Sequence, residues 1–162
     1  MKFPLKTILV IVLAGAVAAL TLVVRIPTPG TGGYVNFGDV GVIFVGLFLG
    51  NIAGALSGGI GSAVADIIGG FFIFAPITFI AKGLEAYIAG TLAKKNPVWL
   101  LLAMVVVPTI YFFAELFLPN MGWSAALSSL PFNFIQAVIG SCGGYVVYQG
   151  VISAFPANNI KK

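Results

Sequence analysis

The sequence predicts an all-α integral membrane protein, built as a bundle of six transmembrane helices. Three observations lead there. Only 7% of the residues are charged and 60% are hydrophobic, whereas soluble domains run near a quarter charged. The mean hydropathy of +1.12 is spread along the chain rather than held in one anchor. At about 20 residues per crossing, 162 residues hold five or six helices and leave no room for a domain outside the bilayer. Residues 1–162 therefore read as one membrane domain.

The same composition excludes several classes of function. The formal charge is +4, but no basic patch carries interleaved aromatics, so nucleic acid is not an expected partner. The chain has no histidine, the commonest metal ligand and general base. Its single cysteine, Cys142, has no partner for an internal disulfide and reads as a small packing residue. No phosphate-binding G-x-x-x-x-G-K-[ST] run occurs, and Gly58-Gly59-Ile-Gly61-Ser62 lacks the preceding strand that a dinucleotide loop needs. The expectation is a protein that is not an enzyme, with no metal and no cofactor.

Helix 1 spans roughly residues 5–24, after the basic start Met1-Lys2-Phe3-Pro4-Leu5-Lys6. Ala16-Val17-Ala18 resembles a signal-peptide cleavage site, yet the apolar run outlasts the usual core of a signal. Ala14, Gly15, Ala18 and Ala19 form two overlapping small-xxx-small pairs, which allow close approach of another helix. That helix could belong to the bundle or to a partner. Residues 25–39 hold two prolines and several glycines, which forbid a continuous helix. Tyr34, Asn36 and Phe37 place aromatic and amide groups there, as a lid over a cavity would. Asp39 reads as the N-cap of the next helix.

Helix 2 is expected over 40–54 and helix 3 over 59–72. Gly50, Gly54 and Gly58 form a small-residue ladder, and Asp66 falls in the middle of helix 3. Helix 4, over 76–93, organises the chain. Thr78, Lys82 and Glu85 share one face at helical spacing. Charges at membrane depth are costly and normally face a bundle interior or a wet cavity. The stripe can serve a small-molecule site, or an ion pair that locks two helices together. Helix 5 covers 97–118, with Pro108 as a kink and Glu115 near its far end. Trp123 follows in a turn as an interfacial residue, and 124–130 reads as a short surface helix. Helix 6 covers 131–155, with Asn133 and Gln136 in its first turns and a Gly140-xxx-Gly144 pair beyond.

Six helices place both termini on one side of the membrane. Lys2, Lys6, Lys94, Lys95, Lys161 and Lys162 then share that side and Arg25 falls opposite, so both termini are expected to be cytoplasmic. At 1.5 Å per residue, Lys82 lies about 8–9 Å below the outer surface. Glu115, Asn133 and Gln136 are also near the outside, and the inner half holds little polar beyond Asn51. That asymmetry favours a pocket open to the outside over a continuous pore.

Three ordered runs carry a family likeness: Gly33-Tyr-Val-Asn-Phe-Gly-Asp39, Gly58-Gly-Ile-Gly-Ser-Ala-Val-Ala-Asp66 and Pro76-Ile-Thr-Phe-Ile-Ala-Lys-Gly-Leu-Glu85. Together they resemble the substrate-binding S components of energy-coupling factor (ECF) vitamin transporters, in the branch of riboflavin, hydroxymethylpyrimidine and pyridoxine carriers. The motifs cover about the first 95 residues; the remainder matches in length, hydropathy and helix count.

The resemblance implies capture of a vitamin from outside, import being driven by other chains. Those chains are a transmembrane T component, docked on the Ala14, Gly15, Ala18 and Ala19 face, and two cytoplasmic ATPases. It also implies that the 27–37 loop is a lid and that Lys82 reaches the ligand. The candidate ligand-binding set is Lys82, Glu85, Asn133, Glu115, Gln136, Asn36, Tyr34, Phe37 and Trp123, with Tyr111 a further stacking residue. Asp66 is assigned to holding the bundle together. Hydroxymethylpyrimidine or pyridoxine ranks ahead of riboflavin as ligand. Two other readings remain: a self-contained proton-coupled transporter using Asp66, Glu85 and Glu115, and a structural subunit whose charges only join helices.

Overall fold

The computed structural model describes residues 4–23, 25–27 and 34–155. Lys2, Lys161 and Lys162, the helix 1 end at Val24 and the loop residues 28–33 lie outside that set. Six α-helices dominate: α1 (Leu5–Val23), α2 (Gly38–Leu49), α3 (Asn51–Gly69), α4 (Ala75–Ile88), α5 (Leu100–Phe117) and α6 (Trp123–Ala154). A π-helical turn, Ala89–Ala93, prolongs α4, and a 3₁₀ turn, Pro97–Trp99, leads into α5.

Close backbone contacts fix the direction of each helix. Gly61 of α3 sits on the Ala14 carbonyl and Val17 of α1, and Gly69 lies against the Arg25 guanidinium. Gly54 of α3 meets Gly46 of α2, so closely that a β-carbon there would stand 2.6 Å from the Gly46 α-carbon. Gly90 abuts Gly50, while Thr78 of α4 bonds Tyr111 of α5 and Gln136 of α6 bonds Asp39 of α2. Successive helices therefore alternate up and down. Lys6, Lys94 and Lys95 fall at one end, and Arg25 at the other.

The lysine end is sealed by apolar packing. Ile43, Leu47, Ile88, Ala89, Ala93, Leu100 and Ala103 are buried together there, with Tyr145 and Tyr148 packed on them. Large side chains such as Leu5, Ile11, Ile52 and Phe117 are exposed around the outside. An apolar exterior of this kind suits contact with lipid. α1, α3, the Pro97–Phe117 stretch and α6 are each long and apolar enough to cross a membrane. α2 is not, since its 12 residues rise only about 18 Å.

Three local expectations are corrected. The break between the second and third helices falls at Gly50, whose φ of 85° is open to glycine, and not in 55–58. Gly54 and Gly58 lie inside α3, where they serve close packing. The surface helix at 124–130 and the start at Pro131 merge into one continuous α6 from Trp123. Proline removes one backbone donor but does not forbid passage, and Ala125, Ala126 and Ser129 hold the first turns down by burial. Residues 25–27 and 34–36, expected as loop, form an antiparallel ribbon of β1 (Arg25–Pro27) and β2 (Tyr34–Asn36). Arg25 pairs with Asn36, Ile26 with Val35 and Pro27 with Tyr34. Proline is tolerated here because a two-stranded ribbon leaves each strand an unpaired edge.

Candidate functional site

Lys82 stands at the centre of the polar end. Its Nζ lies 2.6 Å from Asp39 Oδ1 of α2 and 3.2 Å from Glu85 Oε2, one turn along α4. All three side chains are buried, Lys82 at 3% exposure and Glu85 at 0%. A buried charge without a partner is expensive, and Asp39, distant in sequence, supplies one to Lys82 here. Gly140 makes room for it: a β-carbon at that place on α6 would collide with the Asp39 side chain.

Asp39 is therefore not a helix cap, as its position had suggested. The N-cap of α2 is Phe37 and no side chain caps it; Asp39 is the second helical residue and points inward to Lys82.

Gln136 ties this ion pair to the ribbon. Its Nε2 donates to Asp39 Oδ1 at 3.0 Å, and its Oε1 accepts from the Asn36 backbone N–H at 2.7 Å. Asn36 in turn accepts the Gly38 N–H at 2.7 Å through its side chain, which sets the entry to α2. A second tie comes from Tyr34, whose hydroxyl donates to Asp66 Oδ1 at 2.8 Å. Burial and the neighbouring Asp66 carboxylate push the Tyr34 phenol well above its ordinary pKa, so it remains a donor. Outside this bond the Tyr34 ring packs on Phe71 at 4.6 Å, and the Arg25 guanidinium lies 5.6 Å over it.

Between these groups lies a cleft with about 540 Å³ of atom-free space, its open mouth included. Tyr34, Asn36, Lys82, Glu115, Asn133 and Gln136, all expected from the sequence, line it together. So does Asp66, which had been assigned a purely structural place. Tyr111 lines it as well, bonding Thr78 at 2.7 Å with Lys82 6.0 Å from its ring centre. Glu115 accepts a hydrogen bond from Ser129 of α6.

Three expected residues stand apart from the cleft. Glu85 is fully buried on the far side of Lys82. Phe37 lines a separate apolar groove with Ile26, Val35, Phe132, Ile135 and Ile139. Trp123 is 67% exposed and meets Phe112 edge-on at 5.9 Å.

Sequence reasoning missed Ser62, Phe71, Phe74 and Ser129, which also line the cleft. Ser62 was legible, since it precedes Asp66 by one helical turn on the same face. Ser129 was hidden by starting the last helix at Pro131. On the opposite flank, Ala14 and Ala18 are buried while Gly15 and Ala19 are exposed. Val10, Ile11, Ala14, Gly15 and Ala18 form a shallow apolar groove with Ile60, Gly61 and Val64 of α3.

This arrangement can bind but offers no obvious reaction. Its polar groups are held on several helices and enclosed by aromatic rings; many pair with one another, while Asp66 Oδ2 and Ser62 Oγ have no hydrogen-bond partner. Among known proteins, the family model for the ECF-type riboflavin transporter S component matches residues 3–152. The chain is also 43% identical over 79 residues to an uncharacterized protein in the gap 3′ region of Pyrococcus woesei, across 49% of this chain and 53% of that one. The chain thus matches about half the length of that relative. The family match takes in all six helices, the ribbon and the cleft, and on that extent the chain belongs to the ECF-type riboflavin transporter S component family.

Proposed function

We propose that this protein is the vitamin-capturing S component of an ECF-type importer, with all six helices crossing the membrane and both termini cytoplasmic. The observation that carries the reading is the polarity of the bundle. One end holds a cleft lined by buried polar and aromatic side chains, and the end bearing Lys6, Lys94 and Lys95 is closed by apolar packing. By the positive-inside rule the lysine end faces the cytoplasm, so the cleft faces outward.

The ligand is a small heteroaromatic vitamin or precursor, with hydroxymethylpyrimidine or pyridoxine ahead of riboflavin. It lies against Lys82, Glu115, Asn133 and Gln136, between rings that include Tyr34 and Tyr111, and the ribbon closes above it. The ribbon lies across the cleft, tied down by the Gln136–Asn36 and Tyr34–Asp66 bonds. Ligand entry therefore moves the ribbon, by exchanging the Gln136–Asn36 and Tyr34–Asp66 bonds for contacts with the ligand. Release inward needs a T component and two ATPases, docked along the Ala14, Gly15, Ala18 and Ala19 face. The small residues along that groove support this reading, since they permit close approach of another helix.

Reconstitution in lipid vesicles tests this. The chain alone is expected to bind vitamin without accumulating it, and accumulation is expected only with the T component, both ATPases and ATP. Accumulation by the chain alone, driven by a proton gradient, would overturn the proposal.

A further inference from the structure

The ribbon has two unlike faces. Side chains alternate along a strand, and here Tyr34 and Asn36 turn to the cleft while Ile26 and Val35, paired across the ribbon, turn away from it. Ile26, Val35 and Phe37 form an apolar groove with Phe132, Ile135 and Ile139 of α6, and no charged side chain lines it. Asn36 and Gln136 line both the groove and the cleft. The partition between the two spaces is therefore a single pair of residues, closed by the 2.7 Å hydrogen bond from the Asn36 N–H to Gln136 Oε1.

That bond is the one hydrogen bond between β2 and α6 among the described residues. The opposite flank of the ribbon is held more firmly. There Tyr34 donates to Asp66, its ring packs on Phe71, and the Arg25 guanidinium lies over it. The ribbon thus has a hinge beside α3 and a latch beside α6. Depth decides what the latch opens onto. With Trp123 at the outer surface, Phe132 and Ile139 lie about 14 and 24 Å down the α6 axis at 1.5 Å per residue. A headgroup layer is only about 5–8 Å deep, and Phe132, Ile135 and Ile139 are all exposed. The groove therefore faces acyl chains and not water.

Resting on the capture reading above for the orientation of the bundle, we infer that the cleft opens sideways into the outer half of the bilayer, through a portal between β2 and α6 latched by Gln136. The portal admits uncharged solutes dissolved among the acyl chains, since its walls carry no charge to receive an ion. Charged solutes are left the route from water past the ribbon.

The test is cysteine labelling of the full chain in lipid vesicles. Ser62→Cys places a thiol on the α3 wall of the cleft, with Cys142→Ser removing the exposed native thiol. Thr21→Cys, on the α1 wall, is a second reporter. Two probes are compared: N-phenylmaleimide, which dissolves in lipid, and a sulfonated maleimide, which does not. Ile139→Trp plugs the groove from an already exposed position, and Ile135→Trp is a second plug. N-phenylmaleimide is expected to label the cleft thiol, and the plug to slow that reaction without changing labelling by the sulfonated probe. Gln136→Ala should speed the N-phenylmaleimide reaction about 2- to 10-fold, as loss of one net hydrogen bond predicts. Equal slowing of both probes by the plugs, slowing of neither, or no labelling by N-phenylmaleimide would overturn the portal. Each of these results leaves the capture reading standing on its reconstitution test, because the route past the ribbon remains.

Discussion

The two ends of the bundle are made from the same six helices, yet they are built on opposite principles. At the lysine end, Ile43, Leu47, Ile88, Leu100 and small alanines fill the interior with apolar atoms. At the ribbon end, Asp39, Lys82, Glu85, Asp66, Gln136 and Glu115 bring charge into the interior and must satisfy it there. Apolar packing is non-directional and tolerates modest repacking. A buried polar network has one good arrangement and is costly when incomplete. The difference teaches that the lysine end is a fixed floor. On the capture reading, the ribbon end exchanges its own bonds for those of a ligand.

Three substitutions sharpen the contrast, in order of expected effect. Lys82→Met leaves Asp39 and Glu85 buried without a cation, and should cost about 3–5 kcal/mol. The readout is thermal melting in detergent, and adding Asp39→Asn and Glu85→Gln should restore part of the loss. Melting of the single variant at the native temperature would show that the ion pairs do not hold this end.

Leu47→Ala opens a cavity in the floor and should cost about 2–4 kcal/mol, while ligand affinity, measured below the melting transition, stays within about threefold. A large loss of affinity would mean that floor and cleft are one cooperative unit. Gln136→Leu removes the tie between ion pair and ribbon and should cost about 1–3 kcal/mol. It should also raise amide hydrogen exchange in residues 34–37 with little change in α5. Unchanged exchange there would detach the ribbon from the ion pair.

Much of this contrast was legible in the sequence, and the reasons for the remainder are physical. The Thr78–Lys82–Glu85 stripe was visible because helical spacing is local and a buried charge stands out in an apolar run. The clustering of Glu115, Asn133 and Gln136 with Lys82 followed from counting alternating helices. The partner of Lys82 did not follow, because Asp39 sits where a capping residue would, and only the tertiary fold brings α2 beside α4. Gly50 and Gly54 look identical in a ladder of small residues. One breaks a helix with positive φ and the other lets two helices touch. The ribbon was hidden among prolines and glycines, since three residues per strand give too short an alternation to detect.

The capture reading holds that this end of the bundle exists to bind one small molecule. It is tested most directly by denaturing freshly purified protein and identifying what is released by mass spectrometry. A single vitamin-like nitrogen heterocycle, near one per chain, is the predicted result. Release of nothing, from protein that also gives no heat with a panel of B vitamins, would contradict the account and leave the buried charges as joints between helices.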